Sequence, residues 1–180
     1  MRRRPSDGTA PPVLADPRRT GALIGLAGAA VFVFSYTPAG PLPLVVRVGV
    51  VAVIAATLWF LFVRPRDLGP FVPPSRVGIA VYLACVAGEL ALIAAGTRLL
   101  EGAGAGELRP ALIALVVGLH FLPFSWAFHE RMFALLGGLL VVLGALGLVT
   151  GAAEALAVAS GAVMALLLLA YSLGLFARRR

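Results

Sequence analysis

Six long apolar segments are the feature of this sequence that most constrains its fold. Each is close to the length of about 20 residues that a helix needs to cross the hydrocarbon core of a bilayer. They cover residues 20–36, 44–63, 77–97, 110–128, 132–150 and 155–177. Hydrophobic residues make up 61 % of the 180 positions and charged residues 13 %, which is far from the usage of soluble domains. The sequence therefore predicts an all-α integral membrane bundle of six transmembrane helices connected as antiparallel hairpins.

Arginine provides all of the basic side-chain charge besides histidine, and its distribution predicts the orientation of the bundle. Cytoplasmic loops of membrane proteins carry an excess of arginine and lysine. If both termini are cytoplasmic, two of the fifteen basic residues lie outside, at Arg98 and Arg109, and Arg47 lies within a span. The other twelve lie inside: Arg2, Arg3, Arg4, Arg18, Arg19, Arg64, Arg66, Arg76, Arg131, Arg178, Arg179 and Arg180. We therefore expect cytoplasmic N and C termini.

The amino-acid usage also bears on source and on partners. The chain has no lysine, asparagine or glutamine and is rich in arginine, alanine, glycine and proline, which is typical of a GC-rich bacterial genome and predicts a bacterial inner membrane. We interpret residues 1–19 as a disordered basic tail, residues 20–177 as the transmembrane domain and residues 178–180 as a basic C-terminal tail. Because the arginines flank apolar segments, they indicate contact with membrane lipids rather than with nucleic acid.

The fourth apolar segment contains the pattern Gly118-x-His120-Phe121-x-Pro123. It places an imidazole and a proline within one turn of a helix. Proline has no N–H to donate to the carbonyl of Leu119, so an acceptor is left beside the histidine. An ionisable group inside a membrane normally finds a partner in the bundle interior and is a functional candidate. The candidate intramembrane polar site is therefore centred on this turn.

Glu89, in the third segment, is the predicted partner of His120. It lies nine residues before Arg98, and His120 lies eleven residues after Arg109. At about 1.5 Å of rise per residue, both lie roughly 13 to 16 Å from the same boundary. Consecutive helices joined by a short loop are usually neighbours. The site thus comprises Glu89, His120 and Pro123, with Arg47 as a counter-charge or as a side chain that extends to the interface.

This turn resembles a pattern in uncharacterised small polytopic membrane proteins of bacteria. The resemblance covers one helix, and it implies no activity. It implies only that the histidine and proline turn is the part of the chain to test first.

Other chemistry finds little support in the sequence. Cys85 is the only cysteine, which excludes a disulfide or a cysteine cluster within one chain. His120 and His129 are nine residues apart along one helix, too far to share a metal ion. No serine has the context of a nucleophile. We expect no metal, no cofactor and no enzymatic activity.

The sequence leaves three hypotheses for the function, and an intramembrane enzyme or lipid-handling protein is the least favoured of them. The first is a structural or accessory membrane component with a buried Glu-His pair. The alternative is a small proton- or cation-linked transporter or channel that uses Glu89 and His120. Repeated glycine and alanine on helix faces, such as Gly137, Gly144 and Gly161, predict close packing within the chain or a homo-oligomer. The sequence identifies no substrate.

Overall fold

The computed structural model describes residues 14, 16–69 and 72–177, and all regular elements within them are helical. The six α-helices are α1 (Pro17–Tyr36), α2 (Pro41–Leu58), α3 (Arg76–Gly102), α4 (Arg109–Ala127), α5 (Arg131–Thr150) and α6 (Ala153–Ser172). A π-helical turn, Trp59–Val63, extends α2, and a 3-10 turn, Gly106–Leu108, precedes α4. Most of the two predicted tails, residues 1–13 and 178–180, lies outside the described residues.

Within the described part of the chain, six helices are long and apolar enough to cross a membrane. Their number agrees with the six segments that the sequence predicts, and their bounds differ at the ends. Helix α1 begins at Pro17, inside the segment that we interpreted as a disordered tail, because Asp16 caps it and proline suits the first turn. Helix α6 ends at Ser172, where Gly174 takes a positive φ of 78°.

Helix α6 lies at the centre of the bundle. It packs against α1, α2, α4 and α5, and the most extensive pair of all is α4 with α5. Helix α1 packs chiefly on α6 and only slightly on α2, its neighbour in sequence. The bundle is therefore organised around the C-terminal helix rather than by sequential neighbours alone.

Glycine permits the closest helix contacts. A Cβ atom on Gly161 of α6 would lie 2.7 Å from the carbonyl oxygen of Ala29 in α1, and one on Gly118 of α4 would lie 2.6 Å from the backbone nitrogen of Val141 in α5. Such separations are too short for a side chain. These glycines therefore contact neighbouring helices of the same chain, and the homo-oligomer stays a prediction.

Helix α3 lies at the edge of the bundle. It packs on α4 and on the short turn before it, and Gly78 is its one buried residue. Its contacts follow a seven-residue spacing, Tyr82, Glu89 and Gly96, which returns to the same helix face because seven residues make nearly two turns. Their partners on α4, in the same order, are Phe124, His120 and Leu112. This seam holds the candidate site.

Candidate intramembrane polar site

Glu89 and His120 face each other across the seam between α3 and α4. The Oε2 atom of Glu89 is 3.5 Å from Nδ1 of His120, and the side chains are 19 % and 12 % exposed. The distance is within ion-pair range, yet Nδ1 is buried and has no hydrogen-bond partner among the described groups. The two atoms are thus in contact without the alignment of a hydrogen bond. The structure brings together the two ionisable side chains that the sequence placed at similar depth.

Aromatic rings surround the histidine. The rings of Phe121 and Phe124 have centroids 4.2 Å and 5.1 Å from that of the imidazole. Phe133 of α5 stacks on Phe121 at 5.8 Å and meets Phe124 edge-on at the same distance. Contact with these rings keeps the imidazole in an apolar environment, where an electrostatic contact with Glu89 is stronger than it would be in water.

Pro123 and Arg47, the other two predicted site residues, do not join the pair. Pro123 lies inside α4, which continues through it to Ala127, and its side chain is exposed. Arg47 is on α2, and its described contacts are with the Thr37 carbonyl and, at 5.9 Å, with the ring of Phe34. The role of a counter-charge to Glu89 therefore has no support from the contacts of Arg47.

Helices α1 and α2 are instead joined by two arginine side chains, each of which donates to a carbonyl at the C-terminal end of the other helix. Arg19 of α1 donates to the carbonyl of Leu61 at 2.7 Å. Arg47 donates to the carbonyl of Thr37, the C-cap residue of α1. Both acceptors lie at the C-terminal end of a helix, where carbonyls lack an intrahelical donor. For Leu61 the residue four positions later is Pro65, which has no N–H to donate to its carbonyl. Each guanidinium also lies at the negative end of a helix dipole.

A second polar cluster, formed by Asp16, Arg18 and Arg19, joins the start of α1 to the chain after α2. The Asp16 carboxylate accepts from the Arg18 backbone at 3.0 Å and from the Arg18 guanidinium at 3.1 and 3.0 Å. Arg18 donates further to the Gly69 carbonyl at 3.1 Å, and Arg19 to the Arg66 carbonyl at 2.8 Å. Asp16 and Arg19 are buried. Within the described residues this is the densest set of side-chain hydrogen bonds.

This cluster was not predicted from the sequence, because residues 16–19 were assigned to a disordered basic tail. The signal was present, because an aspartate followed by proline is a common start of a helix. What the sequence could not provide was the position of the acceptors. They are main-chain carbonyls more than forty residues away, and every residue type carries one.

The pKa of Asp16 follows from this geometry. Burial alone would raise it, but the hydrogen bonds from Arg18 and the charges of Arg18 and Arg19 outweigh burial and lower the pKa below its ordinary value. The stability that Asp16 contributes is therefore fully present above its unfolded-state pKa of about 3.9 and is lost as the pH falls through the lower folded-state value.

We expect Asp16→Asn to lower the thermal midpoint of the purified protein at neutral pH. We also expect the variant's midpoint to decrease less than that of the wild type when the pH is lowered below about 4. The reason is that the two arginines then have no anion between them at any pH. Melting curves from pH 7 to pH 3 in detergent measure the effect. Asp67→Asn is the control, since this exposed side chain accepts, among the described residues, only from the nearby Gly69 N–H. Identical pH profiles for both variants would contradict the assignment.

Two open cavities lie on the described part of the chain, and neither is lined by Glu89 or His120. One is lined by Ser125, Trp126, His129, Arg131 and Ala134, the other by Glu107, Gly151, Ala152, Ala153, Glu154 and Ala155. Among the described residues, no three His, Cys, Asp or Glu side chains are grouped so as to hold a metal ion. The pair lies in the seam between α3 and α4, with side chains 19 % and 12 % exposed.

The fold and its apolar helices are those of a multi-pass membrane protein. A family of unknown function, DUF7010, matches residues 105–178. This segment comprises α4, α5 and α6, and it contains His120 but not Glu89. No curated protein and no solved structure matches the chain. The comparisons therefore assign no activity to the pair.

Proposed function

We propose that this multi-pass protein is a structural or accessory component of a bacterial inner membrane, in which Glu89 and His120 clamp α3 to α4. One observation carries the proposal: Oε2 and Nδ1 are 3.5 Å apart in the seam between α3 and α4, and the rings of Phe121 and Phe124 lie against the imidazole. One proton shared between these two atoms gives a hydrogen bond, whether the pair is neutral or ionic. A small rotation of either side chain would align it.

The position of α3 explains why a clamp would be useful. Apart from the short turn before α4, this helix has α4 as its one extensive neighbour among the described elements. Apolar side chains give little preference for a neighbouring helix over lipid tails, so polar contacts and close packing determine helix association in a membrane. Glu89 supplies a polar contact midway along the seam.

Cytoplasmic termini and antiparallel hairpins belong to the same proposal. The arginine distribution supports the orientation. The order of contacts along the seam supports an antiparallel hairpin of α3 and α4. As the residue numbers on α3 increase, the residue numbers of their partners on α4 decrease. Contacts of Arg18 and Arg19 with residues 61–69 support a common end for the start of α1 and the end of α2.

A double-mutant cycle with proton-flux measurements tests the function. For Glu89→Ala, His120→Ala and the double variant, we expect a coupling of about 0.5 to 1 kcal/mol in the free energy of unfolding, as for hydrogen bonds between membrane helices. We expect unchanged proton flux in proteoliposomes. Leu90→Ala, at an exposed position beside Glu89, controls for truncation of α3.

The transporter alternative gives the opposite result. Both single variants would then lose proton or cation flux while the folded state kept its stability. Flux that depends on Glu89 and His120, with no coupling in stability, would overturn the clamp and establish a permeation pathway through the pair.

A further inference from the structure

The turn between α4 and α5 carries a cavity of about 210 Å³ that the Glu-His pair does not use. Its lining residues are Ser125, Trp126, His129, Arg131 and Ala134. They offer an indole, an imidazole and a guanidinium, and none of the five residues is acidic. The Ser125 hydroxyl is already engaged, because it donates to the Leu122 carbonyl at 2.8 Å. Such a set of donors without a carboxylate is suited to an anion.

The second cavity has the opposite character. It is of similar size, about 270 Å³, and two of its lining residues are Glu107 and Glu154. The basic character of the first cavity is therefore a property of that turn and not of every loop in the chain.

The His129 imidazole and the Arg131 guanidinium are accessible to a ligand. His129 and Arg131 are exposed, and none of the hydrogen bonds or ion pairs described for this chain involves them. Glu130, between them in sequence, is not among the residues that line the cavity, and it lies in electrostatic range of Arg18 and Tyr171. His129 has a positive φ of 56°, which reverses the chain so that residues on both sides of it line one cavity.

The location indicates what kind of anion fits. The cavity lies between the last residue of one membrane span and the first residue of the next, since α4 ends at Ala127 and α5 begins at Arg131. Trp126 is 63 % exposed, and indoles at the ends of spans lie at the level of lipid headgroups. A molecule in the cavity would thus have its anionic group at Arg131 and apolar surface beside it on the flanks of α4 and α5.

We propose that this cavity binds the phosphate of an anionic phospholipid headgroup. The Arg131 guanidinium provides a planar pair of donors that matches two phosphate oxygens, and the His129 imidazole provides a further donor. Basic pockets at the ends of membrane helices are suited to anionic headgroups.

Native mass spectrometry of the full chain in mild detergent tests the site. We titrate phosphatidylglycerol against the wild type, Arg131→Gln and His129→Gln, and expect about tenfold weaker retention in Arg131→Gln, the scale of one lost charged hydrogen bond. We expect severalfold weaker retention in His129→Gln. Melting curves without lipid establish whether each variant is folded. If Arg131→Gln does not fold, the comparison of His129→Gln with the wild type tests the site.

Arg109→Gln is the matched control. Arg109 is likewise exposed and likewise the first residue of a membrane helix, but at the other end of α4. Its loss removes the same charge and should leave lipid retention unchanged. Equal retention by Arg131→Gln and Arg109→Gln, or equal loss in both, would overturn the proposal, because binding would then not depend on this cavity.

Two further arms identify the ligand. Phosphatidylcholine, whose headgroup has no net charge, should be retained less than phosphatidylglycerol; equal retention would overturn the anionic assignment. Inorganic phosphate alone should give no rise in the melting midpoint. If it does give a rise that Arg131→Gln abolishes, the ligand is a soluble phosphate, and the assignment to lipid is wrong.

Discussion

Replacing Arg19 by methionine is expected to lower the free energy of unfolding by about 3 kcal/mol, the scale of breaking a buried polar cluster by removing one partner. The Arg19 side chain is 8 % exposed and donates to the carbonyls of Leu61 and Arg66. Methionine fills a similar volume but leaves both acceptors without this donor, and the Leu61 acceptor belongs to a fully buried residue, where the loss of a donor costs most.

Equilibrium unfolding or thermal melting of the purified protein measures this effect. Arg64→Met is the matched control, because it removes one positive charge at an exposed position just after the π-helical turn of α2. It should change stability by no more than about 0.5 kcal/mol. Equal destabilisation by the two substitutions would mean that loss of positive charge, and not the buried hydrogen bonds, is responsible.

Gly144→Ala is expected to have a comparable or larger effect, about 3 kcal/mol or failure to fold, because overpacking of a tight contact forces the backbone to move. A Cβ atom here would lie 2.7 Å from Cα of Leu115 and 2.8 Å from the carbonyl oxygen of Ala111. These are main-chain atoms of α4, so no side-chain rotation relieves the overlap. The helix pair with the most extensive contact in the bundle would have to separate.

Gly138→Ala provides the control within the same helix. A Cβ atom at Gly138 meets nothing within 4 Å, and alanine favours a helix over glycine by about 1 kcal/mol. This substitution should therefore be neutral or slightly stabilising, as judged from the melting midpoint. If both alanine variants behave alike, the close approach of α4 and α5 at Gly144 is wrong.

The sequence predicted the number and approximate position of the helices because membrane spans are encoded by length and apolarity alone. It also placed Glu89 and His120 at one depth, since helical rise converts residue counts directly into distance. Depth does not determine rotation about the helix axis. The seven-residue spacing of Tyr82, Glu89 and Gly96 indicates which face of α3 packs on a neighbour, but this spacing can be recognised only once the partner helix is known.

The interactions that the sequence did not predict end on main-chain carbonyls. Arg47 was expected either to extend to the interface or to neutralise an acidic side chain, and it caps α1 at Thr37. Pairing rules based on charge consider only side chains as acceptors. A buried arginine in a membrane protein can equally be satisfied by the last turn of another helix, whose carbonyls are present whatever the residues are.

The packing of α1 against α6 has a consequence for biogenesis. Helix α1 is synthesised before α6, so the principal neighbour of α1 is absent until residues 153–172 have been translated. Its buried Arg19 obtains the Leu61 carbonyl 42 residues later, after α2 has emerged. Membrane insertion of α1 and its docking against α6 are thus separated in time, and the α1 surface that packs on α6 stays uncovered until α6 has been inserted.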